Sequence, residues 1–218
     1  MRRVIFVLIT AVAAPALAQP APAPAASAKA GPGTAVVKNA NDTIATLLKQ
    51  KAAPGSAEEK ALAGKVTTSV RGFLDIDELG KRAMADNWSK LTKAQQDEFL
   101  KVLRGLIEAN YIAGLRANLN YTVDYTGEST DAQGNVVVTT KINTQRKGRP
   151  FQIEVDYVLV KQGDKLRAFD VVTDKVGLVD NYRAMFNKII AKGGFDDLIK
   201  KMKDKQTQLA AKTAPATP

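Results

Sequence analysis

Three spacings in this chain are ones that chemistry uses. Tyr157 and Lys161 stand four residues apart, as a catalytic tyrosine and lysine do; Asp75-x-Asp77 matches the opening of a calcium loop; Gly31-Pro32-Gly33 matches the start of a dinucleotide-binding turn. Each fails on its surroundings. The segment around Tyr157 alternates apolar and polar residues as a strand does, and no nucleotide-binding loop precedes it, so the pair reads as a packed tyrosine and a solvated lysine. The next calcium position is Leu79 and the twelfth is Asp86, not a bidentate glutamate, so Asp75 reads as a helix cap. The glycines follow no strand and lack the third member of the dinucleotide pattern.

Absences narrow the chemistry further. Without histidine or cysteine, the chain cannot build a Ser-His-Asp or Cys-His nucleophile, and it lacks the ligands of nearly all zinc sites. Its serines lie in no Gly-x-Ser-x-Gly elbow. Paired carboxylates for glycoside hydrolysis can be distant in sequence, but sugar sites favour exposed aromatics and Trp88 is the one tryptophan. The expectation is a binding protein with no catalytic residue, no metal and no resident cofactor.

The two ends say where such a protein works. Arg2 and Arg3, an apolar run from Val4 to Ala14 and the small-residue pattern Ala16-Leu17-Ala18 form a secretory signal peptide over residues 1–18. Its apolar run is about half the ~20 residues that span a bilayer, so the mature chain is expected to be soluble in an aqueous compartment of the cell envelope. With no cysteine in the sequence, neither a lipid anchor nor a disulfide is expected. Residues 19–34 and 209–218 are rich in Pro and Ala and read as linker and tail, leaving one domain over 35–208. The net charge of +10 is read as a solvated surface, with anionic headgroups or an acidic partner as sharper alternatives. Export and the lack of a recognition motif argue against nucleic acid.

Periodicity supplies the scaffold. Val36, Ala40, Ile44, Leu47 and Leu48 predict a helix over 35–50, Ser56 with Glu59 caps a second, and a short third runs from Asp75 toward Trp88. Thr92 and Gln95 open the longest helix, reaching to about Asn118 with Phe99, Leu103, Leu106 and Ile107 on one stripe. At Tyr121 the period falls to two. Four strands follow, through Val123, Val138, Val155 and Val171, joined by short turns as an antiparallel meander. Two last helices, over 178–192 and 196–208, are separated by Gly193-Gly194. The fold class is α+β, a four-stranded antiparallel sheet against a helical layer, with an apolar cleft wherever the two pack loosely.

Several segments resemble the MlaC family, also known as toluene-tolerance or organic-solvent-resistance proteins. The resemblance rests on Phe169-Asp170-Val171-Val172, Val176-Gly177-Leu178-Val179, Asn181-Tyr182-Arg183-x-x-Phe186 and Gly193-Gly194-Phe195-x-x-Leu198, with a second stretch from Trp88 to Tyr111. The family often has a serine where this chain has Gly177. The resemblance implies an NTF2-like or cystatin-like fold and a periplasmic phospholipid carrier that maintains outer-membrane lipid asymmetry. Its implied partners are an inner-membrane ABC transporter complex and an outer-membrane lipoprotein complex. Another apolar cargo, such as an isoprenoid or sterol-like molecule, would need the same cleft, and a scaffold that grips a protein partner is a third possibility.

On this reading the sheet offers Val123, Val138, Ile142, Val155, Tyr157, Phe169 and Val171 to the lipid, and the helices offer Leu103, Ile107, Leu178, Val179, Tyr182 and Phe186. Residues at these spacings are also what an ordinary core uses, so about half are expected to touch cargo. Asp170 and Arg183 are read as structural, as a pair or a cap, and Trp88 as a packing anchor. A monomer is expected, because the long helices are needed for the chain's own core.

Overall fold

The computed structural model describes residues 30–113, 121–146 and 148–213. The expected signal peptide, most of the expected linker, the continuation of the fourth helix expected to about Asn118 and residues 214–218 lie outside them. The elements are α1 (Pro32–Lys49), α2 (Ala57–Phe73), α3 (Ile76–Met84), α4 (Lys93–Ala113), β1 (Tyr121–Thr130), β2 (Val136–Arg146), β3 (Arg149–Gln162), β4 (Lys165–Thr173), β5 (Val176–Gly177) and α5 (Leu178–Thr213). A short 3-10 helix over Ala85–Lys90 links α3 to α4.

The helix starts follow local capping chemistry. Ser56 Oγ accepts the Glu59 amide at 3.1 Å, and Asp75 Oδ1 accepts the Glu78 amide at 3.1 Å, each as a helix cap. Thr92 and Gln95 form a reciprocal capping box, Thr92 Oγ1 accepting the Gln95 amide while Gln95 Oε1 accepts that of Thr92. Asp170 Oδ1 accepts the amide of Val179 at 3.1 Å and so caps α5. Arg183 pairs with Asp180 at 2.9 Å and not with Asp170. A side chain at Gly177 would place its Cβ 2.6 Å from the Asp170 carboxylate, so the space a serine would need is already taken. Gly194, at φ +75°, breaks α5 into the two segments expected from sequence, because few other residues accept that backbone conformation.

The sheet is an antiparallel meander in the order β1-β2-β3-β4-β5, and its fold class is α+β as expected. It has five strands, not four. The fifth, Val176–Gly177, folds back on β4 through Asp174 and Lys175, both at positive φ without a glycine between them. Nor does α1 begin at Ala35. It starts at Pro32, and α5 continues past residue 208 to Thr213.

The early start of α1 has a cause far away in sequence. Gly31, its N-cap, has no capping side chain of its own. In its place the Glu128 carboxylate, from β1, accepts the amides of Gly31, Gly33 and Thr34 at 3.0, 3.2 and 2.7 Å and the Thr34 hydroxyl at 2.7 Å. A carboxylate at a helix N-terminus satisfies amides that have no partner within the helix and meets the positive end of its dipole. Burial pushes the Glu128 carboxyl up, but the bonds from Thr34, Gly33 and Gly31 outweigh it and hold it below its ordinary value of 4.5. A depressed folded-state value means that this stabilisation is fully present above the ordinary glutamate range and is lost as pH falls through the folded value. Glu128→Ala is expected to cost about 1–2 kcal/mol at neutral pH, read by chemical denaturation, with the difference from wild type shrinking in acid.

One contiguous core joins sheet and helices. α1 lies directly on β1 and β2, while α4 packs on α5, α3 and α2 as a second layer. Arg71 of α2 grips Glu108 of α4 at 2.5 Å, and Arg104 of α4 grips Asp77 of α3 at 2.7 Å, tying the helices to one another.

Candidate functional site

The register of the meander arranges its helix-facing residues in rows. Tyr121, Thr144 and Phe151 form the first, Val123, Ile142 and Ile153 the second, and Tyr125, Thr140, Val155 and Thr173 the third. Glu128, Val138, Tyr157 and Val171 form the fourth; Thr130, Val136, Leu159 and Ala168 the fifth. Burial is graded along them. Val138, Tyr157, Val171, Leu159 and Ala168 are buried, whereas Val123, Ile142 and Ile153 are half-buried and Phe151 is exposed. One apolar surface thus runs from closed core to open edge, and the open edge is where β1 begins.

This grading divides the lipid contacts expected from sequence. Val138, Val155, Tyr157, Phe169 and Val171 are closed core; Val123 and Ile142 lie on the open part of the face. Leu103 and Ile107 belong to α4, in the second helical layer, and Leu103 packs close to Gly80 of α3. Tyr182 and Phe186 sit in an aromatic cluster with Phe99: the Phe99 and Phe186 rings are 5.4 Å apart edge to face, those of Tyr182 and Phe186 5.4 Å apart and stacked. Trp88 joins that cluster 6.3 Å from Phe99, a packing anchor as read from sequence. Val179 is buried and Leu178 half-buried where Asp170 caps α5. The expected open cleft between sheet and helices is closed core at the deep rows. At the open end the recess between α1 and β1, lined by Ala45, Leu48, Lys49 and Tyr121, has a volume of about 30 Å³, the share of one water molecule.

Apart from the Glu128 carboxylate, which is taken up by the start of α1, the polar groups along this face are neutral hydroxyls. The Tyr157 hydroxyl donates to Asn41 Oδ1 at 3.3 Å, and Asn41 Nδ2 donates to the Tyr125 hydroxyl at 3.2 Å, so one α1 side chain bridges two sheet tyrosines. Burial pushes the phenols up, Tyr111 to about 12 and Tyr157 further, with Tyr121 and Tyr125 raised for the same reason. These hydroxyls stay protonated at neutral pH and supply hydrogen bonds, not a base. Among the described residues no group of three or more acidic side chains is placed to hold a metal ion. No described helix is long and apolar enough to cross a membrane. An apolar face with scattered neutral hydroxyls can hold an apolar molecule and orient it.

Sequence reasoning missed several residues here. Ile153 and Tyr121 were legible in the strand alternation, and Lys49 had no signal. Asn41 had one that went unused, since with Val37, Ile44 and Leu48 it falls on the apolar stripe of α1, where a polar residue needs an internal partner.

The family model for MlaC protein matches residues 38–204, from the first turns of α1 to the last turns of α5. The chain belongs to the MlaC family. No curated protein matches it in sequence. A solved structure of a phospholipid-binding protein from Ralstonia solanacearum, in complex with a phospholipid, is similar to this MlaC-family chain with a TM-score of 0.63 and 26% identity. That similarity covers 81% of this chain and 97% of the other.

Proposed function

We propose that this MlaC-family chain is a soluble periplasmic carrier that binds a phospholipid by its acyl chains and shuttles it between an outer-membrane lipoprotein complex and an inner-membrane ABC transporter complex. The observation that carries this reading is the continuous apolar face that opens toward the start of β1, backed by family membership and by the phospholipid held in the Ralstonia relative. The NTF2-like or cystatin-like frame implied by the resemblance belongs to the same proposal. Acyl chains enter as α1 and the helical layer separate from the sheet, replacing contacts that the closed core makes with itself.

The need for a carrier is quantitative. Each CH₂ kept from water is worth ~0.8 kcal/mol, so two chains of ~16 carbons represent on the order of 20 kcal/mol. Free lipid crosses water at a negligible rate against such a barrier. A passive pocket about as apolar as a membrane makes loading and unloading nearly balanced, and direction then comes from the partners.

Native mass spectrometry of protein purified from cells tests this. Bound phospholipid is the expected result. Protein that is consistently lipid-free and takes none from vesicles overturns it, and an isoprenoid or sterol-like molecule in the same place replaces the cargo.

A further inference from the structure

We propose that the recess between the end of α1 and the start of β1 is the mouth of the lipid site, and that Lys49 there binds the phosphate of the headgroup; this rests on the carrier reading above. Three observations carry it. The apolar rows become open at this end, with Val123, Ile142 and Ile153 half-buried, so acyl chains lying on them would leave the protein here. Lining the recess are Ala45 and Leu48, which are apolar, together with one phenol, Tyr121, and one cation, Lys49. Such a lining matches the junction of a phospholipid, where chains meet glycerol and phosphate.

The third observation is that Lys49 is unoccupied by the protein. Lys38, Lys93, Lys201 and Lys203 each hold a carboxylate, whereas the Lys49 side chain, like those of Lys51 and Lys60, holds none among the described residues; of these three, Lys49 is the one that lines the recess. Asp42 is the carboxylate on α1 whose charge reaches Tyr121 and Tyr125, and it is taken by Lys38 at 2.5 Å. A lysine in the last turn of a helix also meets the negative end of the dipole, which is a contribution to stability alone. Phosphate binding predicts something the dipole does not: a change in affinity that depends on the ligand's charge.

The test uses the full chain, stripped of lipid, and two probes delivered from cyclodextrin that share their acyl chains, dioleoylphosphatidylglycerol and dioleoylglycerol. Lys49→Glu is expected to lower the preference for the phosphate-bearing probe roughly fivefold, as the loss of an exposed ion pair does at its upper range, while the small loss of stability at the helix end acts on both probes alike. Lys49→Arg restores it. An unchanged preference, or equal losses for both probes, overturns the role of Lys49 while leaving the carrier intact. Wild-type protein that takes no phosphatidylglycerol overturns the carrier reading itself. Competition by inorganic phosphate assigns Lys49 to a free ion and also overturns the proposal.

Discussion

Phe186→Ala is expected to destabilise the protein by about 3–5 kcal/mol, enough to remove much of the stability of a typical domain. Phe186 is fully buried and touches both sides of its layer, edge to face with Phe99 of α4 and stacked on Tyr182 one turn back along α5. Truncation leaves a cavity that two other rings and the helices behind them can close only in part. The neighbouring Met185 supplies the control. It is 44% exposed, so Met185→Ala should move stability by no more than about 0.5 kcal/mol. Urea denaturation of both variants is the measurement. A small effect at Phe186 would mean that the α4–α5 layer relaxes easily, and would place the cargo there and not on the sheet.

Tryptophan at two positions of β2 should give opposite results. Ile142 and Val138 face the same side of the same strand, Ile142 in the half-buried second row and Val138 in the buried fourth. Ile142→Trp has open space to enter, so melting temperature should stay close to wild type, while copurified phospholipid falls by roughly tenfold because a ring occupies the path of the chains. Val138→Trp forces bulk into closed core and should cost about 1–3 kcal/mol. Melting temperature and lipid per folded molecule, measured on both, separate the outcomes. Normal lipid in the Ile142 variant would show that the acyl chains do not lie on this end of the sheet.

Much of this architecture is written locally. Ser56, Asp75 and Thr92 announce helix starts because capping is a contact between residues three apart, and the alternation of Tyr121 to Tyr125 or Ile153 to Leu159 announces strands because the pleat has a period of two. What escapes is set by irregularities. β5 is two residues long and is reached through a left-handed pair, Asp174 and Lys175, that carries no glycine as a signal. Glu128 is hidden for a subtler reason. A bulge between Tyr125 and Gly127 shifts the parity of β1, so a glutamate that simple alternation would send outward lands on the inner face, opposite Val138. The start of α1 could not be placed without it. The lipid-contact residues were legible as an apolar set, since the pattern marks every inward position; their division into closed core and open face depends on where α1 ends, which is tertiary.

The strand order makes the sheet and α1 unequal partners in assembly. Every pairing in the β1-to-β5 meander joins neighbours in sequence, so the sheet can zip from short loops. By contrast, α1 reaches its place through Glu128, 94 to 97 residues away, and through Tyr157, 116 residues from Asn41. Its docking closes the largest loops in the domain and carries the corresponding entropy. The first helix of the chain, with α2 beside it, is therefore expected to settle after the meander and to open before it, which hydrogen exchange would show as weaker protection of α1 amides than of those in β2 and β3. On the carrier reading, cargo exchange would draw on the free energy of parting helices from the sheet, not on that of unfolding the domain.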